Sequence, residues 1–202
     1  MQGGDGRLRP AVPARRIPEV AMLHLRALLL LALPVPVLAQ EAESPLTVGP
    51  MIRSAKIGIF CAPEIFETTP APDTIAGTTN VVVDEVPFLS DSHIVPAVLD
   101  VGFGIKSYAK GDVELTGVTV IVTHPPVGPD GVQRESYQTT IFSSRVSQTL
   151  FQFDYEYELV TGPWTLEAIH QGETLFSATF EVVEPGMVPE LAEACNYASL
   201  LS

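Results

Sequence analysis

The side chains with chemistry to offer are few and scattered. Downstream of residue 40 there are three histidines, His93, His124 and His170, and none has the short ligand spacing that zinc sites use. Copper would need methionines or further histidines close by, and Met51 and Met187 form no cluster with them. Asp154, Glu156 and Glu158 alternate along one stretch, so on a strand they share a face. Calcium, however, takes 6–8 oxygens from a flexible loop, and a solvated acidic face is the simpler reading. No GxSxG, HExxH, phosphate-cradling glycine loop or Ser/Lys signature occurs. The sequence therefore predicts no catalytic residue, no cofactor and no resident metal.

The two cysteines, Cys61 and Cys195, lie near opposite ends of the chain. Neither has a CxxC partner or an adjacent histidine, so a reactive thiol is not indicated. In an oxidising compartment two cysteines allow one connectivity, and a bridge across 134 residues would contribute roughly 4–5 kcal/mol in the chain-entropy model. The alternative is a pair of separately buried thiols. Among surface candidates, the loop from His124 to Gly131, with Pro125, Pro126, Asp130 and the Pro129-Asp130-Gly131 turn, is the expected binding loop. Gly102 and Gly104, inside a strand, mark a bulge or a close backbone approach and are a second surface candidate.

These groups must be positioned by strands. Ala55, Ile57, Ile59 and Cys61 share one face of a half-buried strand, and Leu99, Val101, Phe103 and Ile105 share another. Residues 63–80 read as a long loop, and Val81–Val83 as a short strand. Val118–Thr123 is rich in β-branched residues, as a doubly buried strand requires. Phe151, Phe153, Tyr155 and Tyr157 alternate with acids and amides over 149–158, giving one aromatic and one acidic face. Such a row could stack sugars, but one face of a sandwich strand must fill the core. Phe103, Phe151, Phe153, Tyr155, Trp164 and Phe180 are accordingly assigned to the core, with Tyr157 nearest the strand end and most open to solvent. Trp164, Leu166, Ala168 and His170 share a side of the next strand, and a tight hairpin at Gly172-Glu173 leads into the last. Leu191, Ala194, Cys195, Ala198 and Leu201 fall on one stripe of a C-terminal helix over 189–201.

The first 39 residues read as an address. A basic start at Arg26, an apolar run and the small residues Val37 and Ala39 predict a signal peptide cleaved between Ala39 and Gln40, with Met22 as a second possible start. The apolar run is interrupted by Pro34 and Pro36 and falls short of the ~20 residues a membrane span needs, so no anchor remains after cleavage. Removing the leader also changes the charge. Six basic residues remain against 22 acidic ones, a formal charge of −16. With no basic stripe to release counterions, the chain is a poor partner for anionic lipid, and nucleic acid is set aside. Residues 40–50 are a polar, flexible leader, and 51–202 form one domain.

Phe103-Gly-Ile105, Phe151-Gln-Phe-Asp154, the block Glu158-Leu-Val-Thr-Gly-Pro-Trp-Thr165, His170-Gln-Gly172 and Phe180-Glu-Val182 carry a resemblance. Over residues 95–183 the chain resembles a family of small secreted proteobacterial proteins classed only as a domain of unknown function. The resemblance implies an extracytoplasmic β-sandwich and assigns no activity to any residue. The combined expectation is an all-β protein, an antiparallel immunoglobulin-like β-sandwich with a short C-terminal helix, periplasmic or secreted. Its expected role is a non-catalytic protein-binding or adaptor module meeting an unknown envelope protein, in an oligomeric state the sequence leaves open. A small-ligand protein or an enzyme with a loop-built site is the alternative, with a metal carrier third.

Overall fold

A computed structural model describes residues 44–63 and 65–201. The signal peptide, its cleavage after Ala39, the alternative start at Met22 and residues 40–43 lie outside the described residues. Eleven strands occur among those described. They are β1 (Leu46–Val48), β2 (Ile52–Cys61), β3 (Glu67–Pro70), β4 (Thr78–Val81), β5 (Ile94–Pro96), β6 (Val101–Ala109), β7 (Glu114–Val127), β8 (Val132–Phe142), β9 (Ser147–Gln152), β10 (Gly162–His170) and β11 (Glu173–Val183).

One sheet runs β1-β11-β10-β7-β8, with β5 added on β11, and the second runs β2-β6-β9. Their facing sides bury one apolar core, making a β-sandwich. Every pairing in these two sheets is antiparallel except β5 on β11. β1 occupies β11 only over Phe176–Ala178, and β5 fills the edge left free at Glu181–Val183. Leu46–Val48, expected within a flexible leader, is thus a paired strand. The β10–β11 hairpin closes through Gln171 and Gly172, one residue before the expected Gly172-Glu173; both have positive φ (50° and 84°), the geometry that matches strand twist in a two-residue turn.

Phe103 on β6 is the hub of the core. Its ring centroid lies 4.6 Å from Phe180 across the sandwich, 5.8 Å from Phe153 and 6.1 Å from Trp164, all of them fully buried. The glycines beside it have a steric reason. A Cβ at Gly102 would strike the Phe60 ring, and one at Gly104 would strike the Thr149 carbonyl of β9. Both are buried, so the close approach is real and the surface role expected of them is not. The outer face of this sheet is covered by the segment 84–90. Phe88 lies over Gly58, and Lys106, almost wholly buried, pairs with Glu85 at 2.7 Å and sits 4.6 Å from the Phe88 ring.

Three further expectations are corrected. The presumed loop 63–80 contains the β3–β4 hairpin, and the strand expected at 81–83 ends at Val81. The aromatic strand stops at Gln152, so Phe153 is buried but Tyr155 leaves the sheet and is 45% exposed. The C-terminal segment is a chain of short 3-10 turns at 185–187, 189–191 and 198–201, not one helix. A single α-type turn ends at Asn196 (φ 65°), where Tyr197 N–H bonds back to the Ala192 carbonyl. Leu191, Ala192, Cys195 and Tyr197 are its buried residues, while Ala194, Ala198 and Leu201 face outwards. Tyr197 donates its hydroxyl to the Val188 carbonyl.

Cys61 at the end of β2 and Cys195 are bonded, with Cα atoms 5.4 Å apart. The bridge ties the terminal turns to the narrow sheet. Reducing it, or replacing Cys61→Ala, should lower stability to urea by about 2–5 kcal/mol. Equal unfolding midpoints with and without reductant would contradict this.

Candidate functional site

β8 ends one sheet and β9 ends the other, and residues 143–146 carry the chain between them. Two serines shape this crossing: Phe142 N–H donates to Ser147 Oγ at 2.8 Å and Val113 N–H to Ser143 Oγ at 3.1 Å. Between the two edges lies a cleft of about 630 Å³, bounded on its third side by the β3–β4 hairpin and its flanks. Gln138, Thr139, Thr140, Gln148 and Asn80 give it an uncharged, hydrogen-bonding wall.

The hairpin is fastened at both ends. Asn80 Nδ2 donates to Asp154 Oδ2 at 2.9 Å, beyond the end of β9. Ile75 N–H donates to Glu135 Oε2 at 2.6 Å, and Ser136 N–H to the Asp73 carbonyl at 3.1 Å, both on β8. Glu135 is buried and turns its other oxygen, Oε1, to His124 Nε2 at 3.2 Å. His124 Nδ1–H donates to the Pro125 carbonyl at 2.8 Å, so the contact with Glu135 becomes a hydrogen bond when one further proton lies between them. The imidazole stacks on Trp164 at 4.5 Å, and the indole N–H donates to the Val160 carbonyl at 3.0 Å.

A second buried carboxylate, Glu158, stands at the same end of the cleft. Its Oε2 accepts the backbone N–H groups of Asp154 (2.8 Å) and Tyr155 (3.0 Å), which fixes the turn that follows β9. Burial, aided by the nearby Asp154 and Glu135 charges, outweighs those two bonds and pushes its carboxyl up to about 7. Tyr155 and Tyr157 stack in parallel beside it with centroids 5.1 Å apart. Burial raises the Tyr157 phenol to about 12, with Glu158 adding to the effect, so that ring stays neutral. Burial alone pushes the Tyr137 phenol up.

The residues singled out in the sequence distribute differently. His124 is not on a surface loop, because β7 runs on to Val127 and its ring is inside the protein. Pro125 is half-buried, and Pro126 and Asp130 are exposed. The turn proper spans 128–131, where Gly128 and Gly131 take positive φ. Glu158, read as part of a solvated acidic face, is buried. His93 is exposed, and His170 is half-buried, its Nδ1 making no hydrogen bond among the described residues. No group of three or more His, Cys, Asp or Glu that could hold a metal occurs among the described residues. Glu135 carried no signal in the sequence; the spacing of Glu158 three residues after the turn-initiating Tyr155 was the one available for the other carboxylate.

A family model described as "Domain of unknown function (DUF3859)" matches residues 48–182. The chain belongs to this family. The DUF3859 span contains both walls of the cleft together with His124, Glu135, Glu158 and Trp164, and leaves Cys195 outside. No curated protein matches the chain. Among solved structures, it is similar to an immunoglobulin-like protein from Pseudomonas aeruginosa, with 18% identity and a TM-score of 0.42. That similarity covers 71% of this chain and 100% of the other.

The Glu158 environment has a pH signature. An acid whose value is raised on folding is stabilising only while protonated, so its penalty is absent below about 4.5 and grows until pH passes about 7. Across that window the wild type should lose melting temperature relative to Glu158→Gln, whose amide oxygen can still accept the two N–H bonds. Parallel curves for the two proteins would contradict this.

Proposed function

We propose that this DUF3859 chain is a non-catalytic binding module, exported by its leader to the periplasm or beyond, that takes up an extended segment of a partner protein in the β8–β9 cleft. The observation that carries the reading is that the terminal strands of both sheets open onto one recess. An edge strand presents a row of unpaired backbone N–H and C=O groups, and an added strand satisfies them while its alternate side chains enter pockets. On β8 the Ser136 N–H already points outwards to Asp73, so by the two-residue period the Gln138 N–H points into the cleft as well. On β9 the Phe153 N–H faces β6, which turns Leu150 and Gln152 outwards.

The Cys61–Cys195 bridge is compatible with an extracytoplasmic location. No helix among the described residues is long and apolar enough to cross a membrane. An enzymatic use of the His124–Glu135 pair is disfavoured because both ring nitrogens are engaged and the ring is packed on Trp164.

Selection of displayed random ten-residue peptides on the mature domain tests the reading. Enriched peptides should bind at least about tenfold more weakly to Gln138→Pro, which removes an outward N–H at a position where an edge strand tolerates proline. Thr179→Ala, on an exposed position of β11, should bind them unchanged. Enriched peptides indifferent to Gln138→Pro, or no enrichment, would contradict it.

A further inference from the structure

Resting on that strand-accepting cleft, we propose that the bound segment carries a Lys or Arg side chain, received at the far end of β9 between Glu158, Asp154 and the ring of Tyr155. Among the described residues four carboxylates line the cleft, and two of them already face a basic side chain of the protein. Glu85 pairs with Lys106, and Glu135 lies 3.2 Å from the His124 ring. Among the described residues no basic side chain makes such a contact with Asp154 or Glu158. Among the described residues the Asp154 side chain is met by the neutral amides of Asn80 and Gln152, at 2.9 and 2.7 Å. Glu158 spends Oε2 on two backbone N–H groups and makes no hydrogen bond through Oε1 among the described residues. It is 93% buried and is one of the residues lining the cleft.

Among the described residues the cleft has one arginine, and it does not reach this end. Arg145 stacks on Phe142 at 3.7 Å, ahead of the first residue of β9, and the six residues of that strand span roughly 20 Å. Tyr155 supplies the remaining element. Its exposed ring lines the cleft beside the two carboxylates, and a guanidinium or ammonium gains from an aromatic face as well as from the charges. Carboxylates beside an aromatic ring in a partly desolvated recess recognise a cation, which a neutral or acidic side chain does not offer them.

The experiment uses the peptides enriched on the full mature domain. The inferred outcome is that those sensitive to Gln138→Pro share a Lys or Arg at one position. Replacing that Arg with citrulline, or Lys with norleucine, should weaken binding at least tenfold, and Glu158→Gln should do the same. Binding should tighten about tenfold from pH 6 to pH 8 as Glu158 ionises, and this dependence should vanish in Glu158→Gln. The groups facing Glu158 are Asp154, Tyr155 and Tyr157 from its own segment and Glu135 from β8, with His124 behind Glu135 on β7. The amide variant therefore reports which of them titrates. Its melting temperature serves as the folding control. Pro-sensitive peptides without a shared cation, or unaffected by Glu158→Gln and by pH, would overturn the inference and leave the strand-accepting cleft standing. The absence of Pro-sensitive peptides would overturn both.

Discussion

Three strands, β2, β6 and β9, face a sheet of six, and this inequality constrains the rest of the molecule. Phe103, Phe180 and Trp164 hold the two layers at a fixed separation, because interlocked rings of this size neither compress nor slide without leaving a void. The wider sheet then extends beyond the narrower one on the β8 side. Part of that overhang is covered by Ala71 and Ile75, from the turn between β3 and β4, which pack towards the core. The remainder is the cleft. A recess between two sheet edges is thus the direct result of strand number and core size, and it needs no loop specialised for binding.

The same geometry accounts for the polar groups at its end. Where β9 stops at Gln152 the chain turns, and the N–H groups of Asp154 and Tyr155 have no partner in the sheet. Glu158 supplies an acceptor for both. The cost is a desolvated carboxylate among like charges, a combination that proteins keep where a ligand or a proton completes the site. His124, Glu135 and Trp164 form the adjoining, fully packed part, in which a charged or polar group has its partners inside the protein. The two carboxylates differ in their partners: Glu135 meets the Ile75 N–H at one oxygen and the His124 ring at the other, and Glu158 makes its two hydrogen bonds through one oxygen.

Much of the fold was legible because it is local. The alternation along β2 and β6, the β-branched run in β7, and the Gln171-Gly172 hairpin each follow from a few neighbouring residues, and the lone cysteine pair allowed one bridge. The site was not legible, because it depends on contacts distant in sequence. Nothing near His124 announces that β7 continues through two prolines or that Glu135 will face it from β8. The alternation at 149–158 was real as a pattern, but bonds from Glu158 to the turn end the strand early, and this reversed the expected exposures of Tyr155 and Tyr157. The terminal helix failed for a similar reason. The bridge at Cys195 and the left-handed Asn196 fix a compact turn where the apolar stripe alone would have allowed a longer helix.

The central claim is that β8 and β9 are open edges on one recess in the free protein. Residue-resolved amide hydrogen exchange of the ligand-free mature domain tests it most directly. The outward-facing amides of Gln138 and Leu150 should exchange orders of magnitude faster than those of Trp164 and Leu166 in the centre of the wider sheet. Protection at Gln138 and Leu150 equal to that of β10 would mean that the edges are already paired, and the account would fail.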